Sequence, residues 1–282
     1  MIPPKRIGIF ELDARKRKTM EYGYLYRARV SLPFAKEKRC LRLWVPESYD
    51  FDDPKETIVF FAPDGQNLVD RYLTAFGDWH LDRVISSLGK QGYPEPILAG
   101  IDCPKDWMER VNELNPPFPV TASSLDWRST NPMGHRFLEY IVSDLKPYLA
   151  KYLRLGKTGI LGSSMGGLLG YYALLAYRNE FSYFQIFSPA MFFYSKEEIV
   201  KQLDVFHVEK KGDIRVFLYT GGTDFEADFV EGTFFLKEEL EKRGYEKKQL
   251  GFSYDKEAIH NEKDWAKHSV EALSFLLKDE RK

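Results

Sequence analysis

Thr158-Gly159-Ile160-Leu161-Gly162-Ser163-Ser164-Met165-Gly166-Gly167-Leu168-Leu169-Gly170-Tyr171-Tyr172-Ala173-Leu174-Leu175-Ala176 decides how this chain folds. An apolar strand-like run enters the stretch and a helix-like run leaves it. Between them, the spacing Gly162-x-Ser164-x-Gly166 places one serine on a sharp strand-to-helix turn. A side chain on either flank of such a turn would clash with the neighbouring strand and helix, which is why glycine is required there. The turn lifts the hydroxyl into the open and aims a helix N-terminus at developing negative charge. Ser164 is therefore the candidate nucleophile.

Outward from the turn, short continuous apolar runs recur, each bounded by turn residues and followed by a helical stretch: Thr57 to Ala62, Pro96 to Ile101, Thr158 to Leu161 and Ile214 to Tyr219, with Phe184 to Phe187 as a fifth. Buried parallel strands have this pattern, and strand and helix alternating from residue 57 onward implies a parallel sheet covered on both faces. Helices are predicted over Phe137 to Lys146, ended by Pro147 or shortly beyond it, and over Gly232 to Arg243, ended by Gly244. The first fifty residues instead alternate as antiparallel edge strands do, in Tyr24 to Val30 and Cys40 to Pro46. The expected class is α/β, with a mostly parallel central sheet, antiparallel N-terminal edge strands and helices on both faces, as one domain over residues 1–282. The most loop-like segment, Asn115 to Ser124, reads as a long loop over the pocket.

Composition excludes several classes. Lys and Arg number 41 against 42 Asp and Glu, so the formal net charge of -1 suggests no nucleic-acid partner. No window approaches the roughly 18 apolar residues of a membrane span and no secretory h-region follows Met1 to Arg6, so the chain reads as cytoplasmic. Cys40 and Cys103 have neither metal spacing nor a C-x-x-C arrangement and read as unpaired thiols.

A serine hydroxyl becomes a nucleophile only when a histidine takes its proton, and that histidine needs a carboxylate to fix its tautomer and stabilise the imidazolium. In the order nucleophile, acid, histidine, the acid should follow the strand ending at Tyr219. There Thr220-Gly221-Gly222-Thr223-Asp224-Phe225-Glu226 offers Asp224, with Glu226 and Asp228 as rivals. Of five histidines, His260 alone combines a late position, a loop setting and a preceding short strand at Phe252 to Tyr254. The oxyanion hole is expected from the backbone N–H groups of Met165 and of Gln66, the latter in Pro63-Asp64-Gly65-Gln66-Asn67, where Gly65 permits a tight backbone.

These blocks, in order, resemble a known family. Asp64 to Leu68, Gly100-Ile101-Asp102, Arg110 to Pro116, Asp144 to Tyr148, Gly162 to Gly167 and Ser188-Pro189-Ala190 are together similar to the putative esterase (esterase D-like) family. Enterochelin esterases, feruloyl esterases, S-formylglutathione hydrolases and mycolyltransferases belong to it. From about residue 57 to His260, the resemblance implies an α/β-hydrolase fold with Ser164 and His260 in catalytic roles and a less fixed acid. The extra N-terminal domain of the larger enterochelin esterases is absent from the sequence, so their substrate does not simply transfer. The missing secretion signal argues against cell-wall acyltransferases and secreted feruloyl esterases. The expected function is a serine carboxylic-ester hydrolase acting through an acyl-enzyme on a small-molecule ester, siderophore-type or other, with no metal or cofactor. The alternatives are a non-catalytic binding protein of the same fold, and an acyltransferase with the same triad.

Overall fold

The computed structural model describes residues 3–13, 20–70, 77–121, 129–209 and 212–281. Its strands are β1 (Arg6–Ile7), β2 (Phe10–Leu12), β3 (Tyr24–Val30), β4 (Arg39–Val45), β5 (Thr57–Pro63), β6 (Ile97–Ile101), β7 (Leu155–Ser163), β8 (Tyr183–Phe187), β9 (Arg215–Gly221) and β10 (Leu250–Asp255). The helices are α1 (Leu81–Gly89), α2 (Trp107–Leu114), α3 (Gly134–Tyr140), α4 (Lys146–Leu149), α5 (Met165–Ala176), α6 (Lys196–Val205), α7 (Ala227–Lys242) and α8 (Glu262–Leu277). The chain divides into two compact units, one of residues 1–104, 139–159 and 261–282, the other of residues 105–138 and 160–260.

In the first unit the strands lie in the order β1-β2-β3-β4-β6-β5-β7. The pairs from β1 through β4 to β6 are antiparallel, and the sheet turns parallel at β5 and β6. The expected edge strands and apolar runs are thus strands of one sheet. β5 and β6 are buried almost throughout because parallel strands covered on both faces leave no side for water. Trp44 anchors the antiparallel part, fully buried, with its Nε1–H donating to Tyr22 O at 2.9 Å.

The predicted helix across Pro147 is real but irregular. Between α3 and α4, Ile141–Leu145 widens into a π turn, and Pro147 sits at the start of α4. Proline in a helix removes an N–H and crowds the carbonyl four residues back, and a π turn just before it lets the chain continue.

In the second unit β7 ends beside β8, and β8, β9 and β10 follow in parallel pairs. Helix α5 is apolar all round and buried from Met165 to Leu175, as a helix must be when no side of it meets water. Helix α7 ends where predicted: Gly244 takes φ 88°, Gly244 N–H reaches Glu241 O and Tyr245 N–H reaches Leu240 O, a Schellman cap. The loop expected over Asn115 to Ser124 is described only to Thr121, the remainder lying outside the described residues. Its described part is pinned by Phe118, whose ring meets Tyr172, Tyr194 and Phe206 edge-on at 5.5, 6.2 and 5.9 Å.

Candidate active site

Ser164 caps α5 in a conformation that side chains rarely adopt, φ 58° and ψ -121°. Such a residue stores roughly 1–3 kcal/mol of strain and persists only where its surroundings over-determine it. Here its N–H donates to Phe187 O at 3.0 Å, and its carbonyl accepts from Leu168 N–H at 2.9 Å and Ala190 N–H at 3.3 Å. Gly162 has the role the sequence assigned to it, and Gly167, outside the motif, is crowded in the same way. A Cβ on Gly162 would stand 2.4 Å from Gly166 O, and one on Gly167 would stand 2.5 Å from Phe187 O. Both obstacles are backbone and cannot swing aside. Met165 is the first residue of α5, so its N–H has no intrahelical acceptor and stays available to an anion.

The carboxylate that meets His260 is Glu226, not Asp224. Glu226 Oε2 is hydrogen-bonded to His260 Nδ1, and the Glu226 side chain is fully buried. Asp224 and Asp228 are exposed. The reason is local. β9 ends at Gly221, Thr223 is extended, and Asp224–Glu226 form one 3-10 turn in which Asp224 takes φ 54°. That turn leaves Asp224 in water and swings Glu226 inward, where the longer side chain reaches back to the end of β9.

Glu226 Oε1 is held as firmly as Oε2. It accepts from Gly221 N–H at 2.7 Å and from the buried Ser188 hydroxyl. Ser188 itself sits at φ 40°, its N–H donating to Tyr219 O at 2.7 Å. Gly221 is required by crowding: a Cβ there would meet Ala258 O and Glu226 Cγ, each at 2.7 Å. Gly222 and Thr223 N–H both donate to Ala258 O, at 3.2 and 3.1 Å, and Thr223 Oγ1 donates to Lys256 O at 2.8 Å. The acid-bearing turn and the histidine loop are thus clipped together through backbone atoms and the Thr223 hydroxyl. Phe229 stacks on the imidazole at 4.3 Å and 24°, and Phe225 meets it edge-on at 5.2 Å. The ring is fixed at one nitrogen and on one face.

Gln66 lies in the first unit, in the 3-10 turn Gly65–Asn67 that follows β5. Its side chain is locked on Cys103: Nε2–H donates to Sγ at 3.1 Å and Cys103 N–H donates to Oε1 at 3.0 Å. The left-handed residue is Asp64, φ 53°, and not Gly65. Gly65 is needed for another reason, since a Cβ on it would stand 2.7 Å from Gly100 C. Asn67 N–H closes the turn on Asp64 O at 2.9 Å, and Asn67 Nδ2–H donates to Glu262 Oε1 at 2.7 Å. Cys40 and Cys103 are not joined in a disulfide.

Ser164 and His260 are marked in the sequence by glycine spacing and by the scarcity of histidine, and the structure puts both in one unit. Glu226 is marked there only as a rival, and Ser188 is given no role. The signal for Glu226 is Gly221, a glycine at a strand end with no positive φ, which marks close approach by something else.

Comparison with known proteins adds the following. A family model described as putative esterase matches residues 36–276. An uncharacterised protein of Bacillus subtilis (strain 168), YbbA, is 25% identical over 252 residues, covering 84% of this chain and 92% of that one. An IroE-like serine hydrolase from Shewanella oneidensis superposes with a TM-score of 0.67 at 21% identity, over 90% of this chain and 80% of the other. The enterobactin esterase FES of Shigella flexneri, solved in the presence of enterobactin, gives a TM-score of 0.67 at 16% identity, over 90% of this chain and 59% of its own. The fold is that of the α/β hydrolases, a mixed sheet of parallel strands with helices on both faces. Among the described residues no helix is long and apolar enough to cross a membrane.

Proposed function

We propose that this chain, which belongs to the putative esterase family, is a serine carboxylic-ester hydrolase working through Ser164, His260 and Glu226. The observation that carries the reading is the Glu226–His260 pair, its carboxylate buried and its imidazole fixed at Nδ1, in the same unit as a serine held at a strained strand-to-helix turn. In this reading Ser164 Oγ attacks the ester carbonyl carbon as His260 Nε2 takes the hydroxyl proton. The tetrahedral oxyanion is met by Met165 N–H at the start of α5. Collapse breaks the bond to the alcohol, which leaves with the proton from Nε2, and an acyl-serine remains. Water, deprotonated by the same nitrogen, attacks the acyl carbon. The acid departs and Ser164 recovers its proton. Glu226 keeps its negative charge throughout, holding the ring proton on Nδ1 and stabilising the imidazolium.

Small acyl esters are the substrate class, and siderophore-type esters come first because the solved structures of similar fold include a siderophore hydrolase of Aspergillus nidulans, EstB, beside the enterobactin esterase FES. The test is hydrolysis of p-nitrophenyl esters from acetate to octanoate and of a catecholate siderophore ester, with wild type, Ser164→Ala and His260→Ala. Activity abolished in both variants, with circular dichroism unchanged, is the expected result. A wild type inert toward every ester and unlabelled by a fluorophosphonate probe would overturn the reading.

A further inference from the structure

Strand β10 ends the strand order beside β9, and among the described residues no strand pairs with its outer edge. Val216 N–H donates to Gln249 O at 2.7 Å, which fixes the alternation along β10. Successive residues of a strand turn their main-chain groups to opposite sides. Gly251, Ser253 and Asp255 therefore face β9, while Phe252 and Tyr254 present N–H and C=O to the open edge. Such an edge is a template for another strand, and proteins blunt it with proline, a charge or a bulge. The middle of β10, Phe252-Ser253-Tyr254, carries neither proline nor charge, and its register with β9 runs unbroken.

The surface beside this edge is aromatic. Tyr254 is 44% exposed and Phe252 is half-buried. Phe234 of α7 meets their rings at 5.3 and 4.8 Å respectively, and Lys237 Nζ of the same helix stands 5.7 Å over Phe252. Val230, Phe234, Phe235 and Tyr254 line an open cavity of about 340 Å³. Charge is divided along the strand. Before it, Glu246-Lys247-Lys248 has one acid and two bases, net +1; at its far end, Asp255-Lys256-Glu257 has two acids and one base, net -1. Two antiparallel copies of β10 bring each end against its opposite, whereas parallel copies would bring like against like.

We propose that the chain forms a twofold dimer through β10, two copies pairing antiparallel about Ser253. With the dyad normal to the sheet, residues opposite one another lie on the same face, so the pairing is centred on a residue. Centring on Ser253 sets Phe252 opposite the second copy's Tyr254, and Tyr254 opposite its Phe252. These are the residues whose main-chain groups face outward, so each pair exchanges both N–H···O=C bonds and adds an aromatic pair on the face that α7 covers. Centring on Phe252 would instead set Leu250 opposite Tyr254, and Leu250 N–H is already given to Glu246 O at 2.8 Å. One patch meets itself, as a twofold contact requires.

The experiment is sedimentation velocity of the full chain across the micromolar range, with Ser253→Cys tested for cross-linking on oxidation. Wild type is expected at twice the chain mass of 32.9 kDa. Tyr254→Pro removes an outward N–H and leaves the ladder to β9, so the dimer Kd should rise by at least about tenfold. Phe252→Lys places a charge on the edge and should act alike, which serves if the proline variant does not fold. On the dyad, residue 253 forms a non-hydrogen-bonded pair with Cα atoms about 4.5 Å apart, within reach of a disulfide. Ser253→Cys should therefore give a covalent dimer, reversed by reductant, under conditions in which wild type with Cys40 and Cys103 gives none. A wild type that stays monomeric, a dimer unmoved by both edge variants, or no cross-link through Ser253→Cys overturns the proposal.

Discussion

Replacing Glu226 by glutamine changes one atom and should nearly abolish turnover, for a reason the hydrogen bonds dictate. Oε1 accepts from Gly221 N–H at 2.7 Å and from the Ser188 hydroxyl. A backbone N–H can only donate, so the amide of Glu226→Gln must keep its carbonyl oxygen on that side and turn its NH2 toward His260 Nδ1. That nitrogen then has to accept, which moves the ring proton to Nε2, where it faces the nucleophile and cannot take a proton from it. Inverting the tautomer in a Ser-His-acid triad costs about 10⁴ in kcat, equivalent to about 5.5 kcal/mol of barrier. Folding should survive, because both donors to Oε1 remain satisfied. The assay is kcat and KM on p-nitrophenyl butyrate with Tm measured alongside, and Asp224→Asn, altering an exposed carboxylate, is the control expected within about twofold of wild type. Glu226→Gln retaining a tenth of wild-type kcat, or Asp224→Asn losing tenfold, would refute the assignment.

Ser188→Ala and Ser188→Gly both remove one donor to the Glu226 carboxylate, and glycine also relaxes the positive φ of 40°. A hydrogen bond to a charged group contributes about 1.5–3 kcal/mol, so kcat should fall by one to two orders of magnitude in both variants; a glycine variant with full activity would show that only the backbone matters. Gly65→Ala drives a Cβ to 2.7 Å from Gly100 C and Gly100→Ala drives one to 2.6 Å from Gly65 Cα. Each should cost about 1–3 kcal/mol in urea unfolding and lower kcat more than it raises KM. Because the two collide at one contact, the double variant should cost less than the sum. In α7, burial works against the Glu239 carboxylate, but Lys242 and Arg243 outweigh it and hold its carboxyl below the usual range. A depressed carboxyl contributes stability above its unfolded value of about 4.3 and loses it as pH falls through the folded value. The gap between wild type and Glu239→Gln in urea melts should therefore be open at pH 7 and narrow below about pH 4.

Much of this molecule could be read in advance because its strands are continuous apolar runs and its elbow needs glycine for steric reasons. Ser164 and His260 followed from the spacing and from the scarcity of histidine. The acid did not, since Asp224, Glu226 and Asp228 lie within one turn and only the left-handed twist at Asp224 decides which faces inward. Spacing along a chain carries no information about that twist. The role of Gly65 was also misread: the sequence shows that a glycine is there, while the reason, Gly100 on a strand some thirty-five residues later, belongs to packing. The short strands β1 and β2 were seen only as part of an alternating N-terminal region. At two and three residues they are too brief to leave a period of their own.

The clip between the acid turn and the histidine loop is made by Gly222 and Thr223 N–H on a single carbonyl, that of Ala258. Main-chain atoms make these two bonds, and one side chain, the Thr223 hydroxyl on Lys256 O, adds to them. Phe225, 44% exposed, stands beside the clip with its ring edge-on to His260. Substitutions around the clip that keep the main-chain carbonyl of residue 258 in place should therefore leave the two segments joined, whereas a change at Phe225 acts directly on the imidazole it packs against.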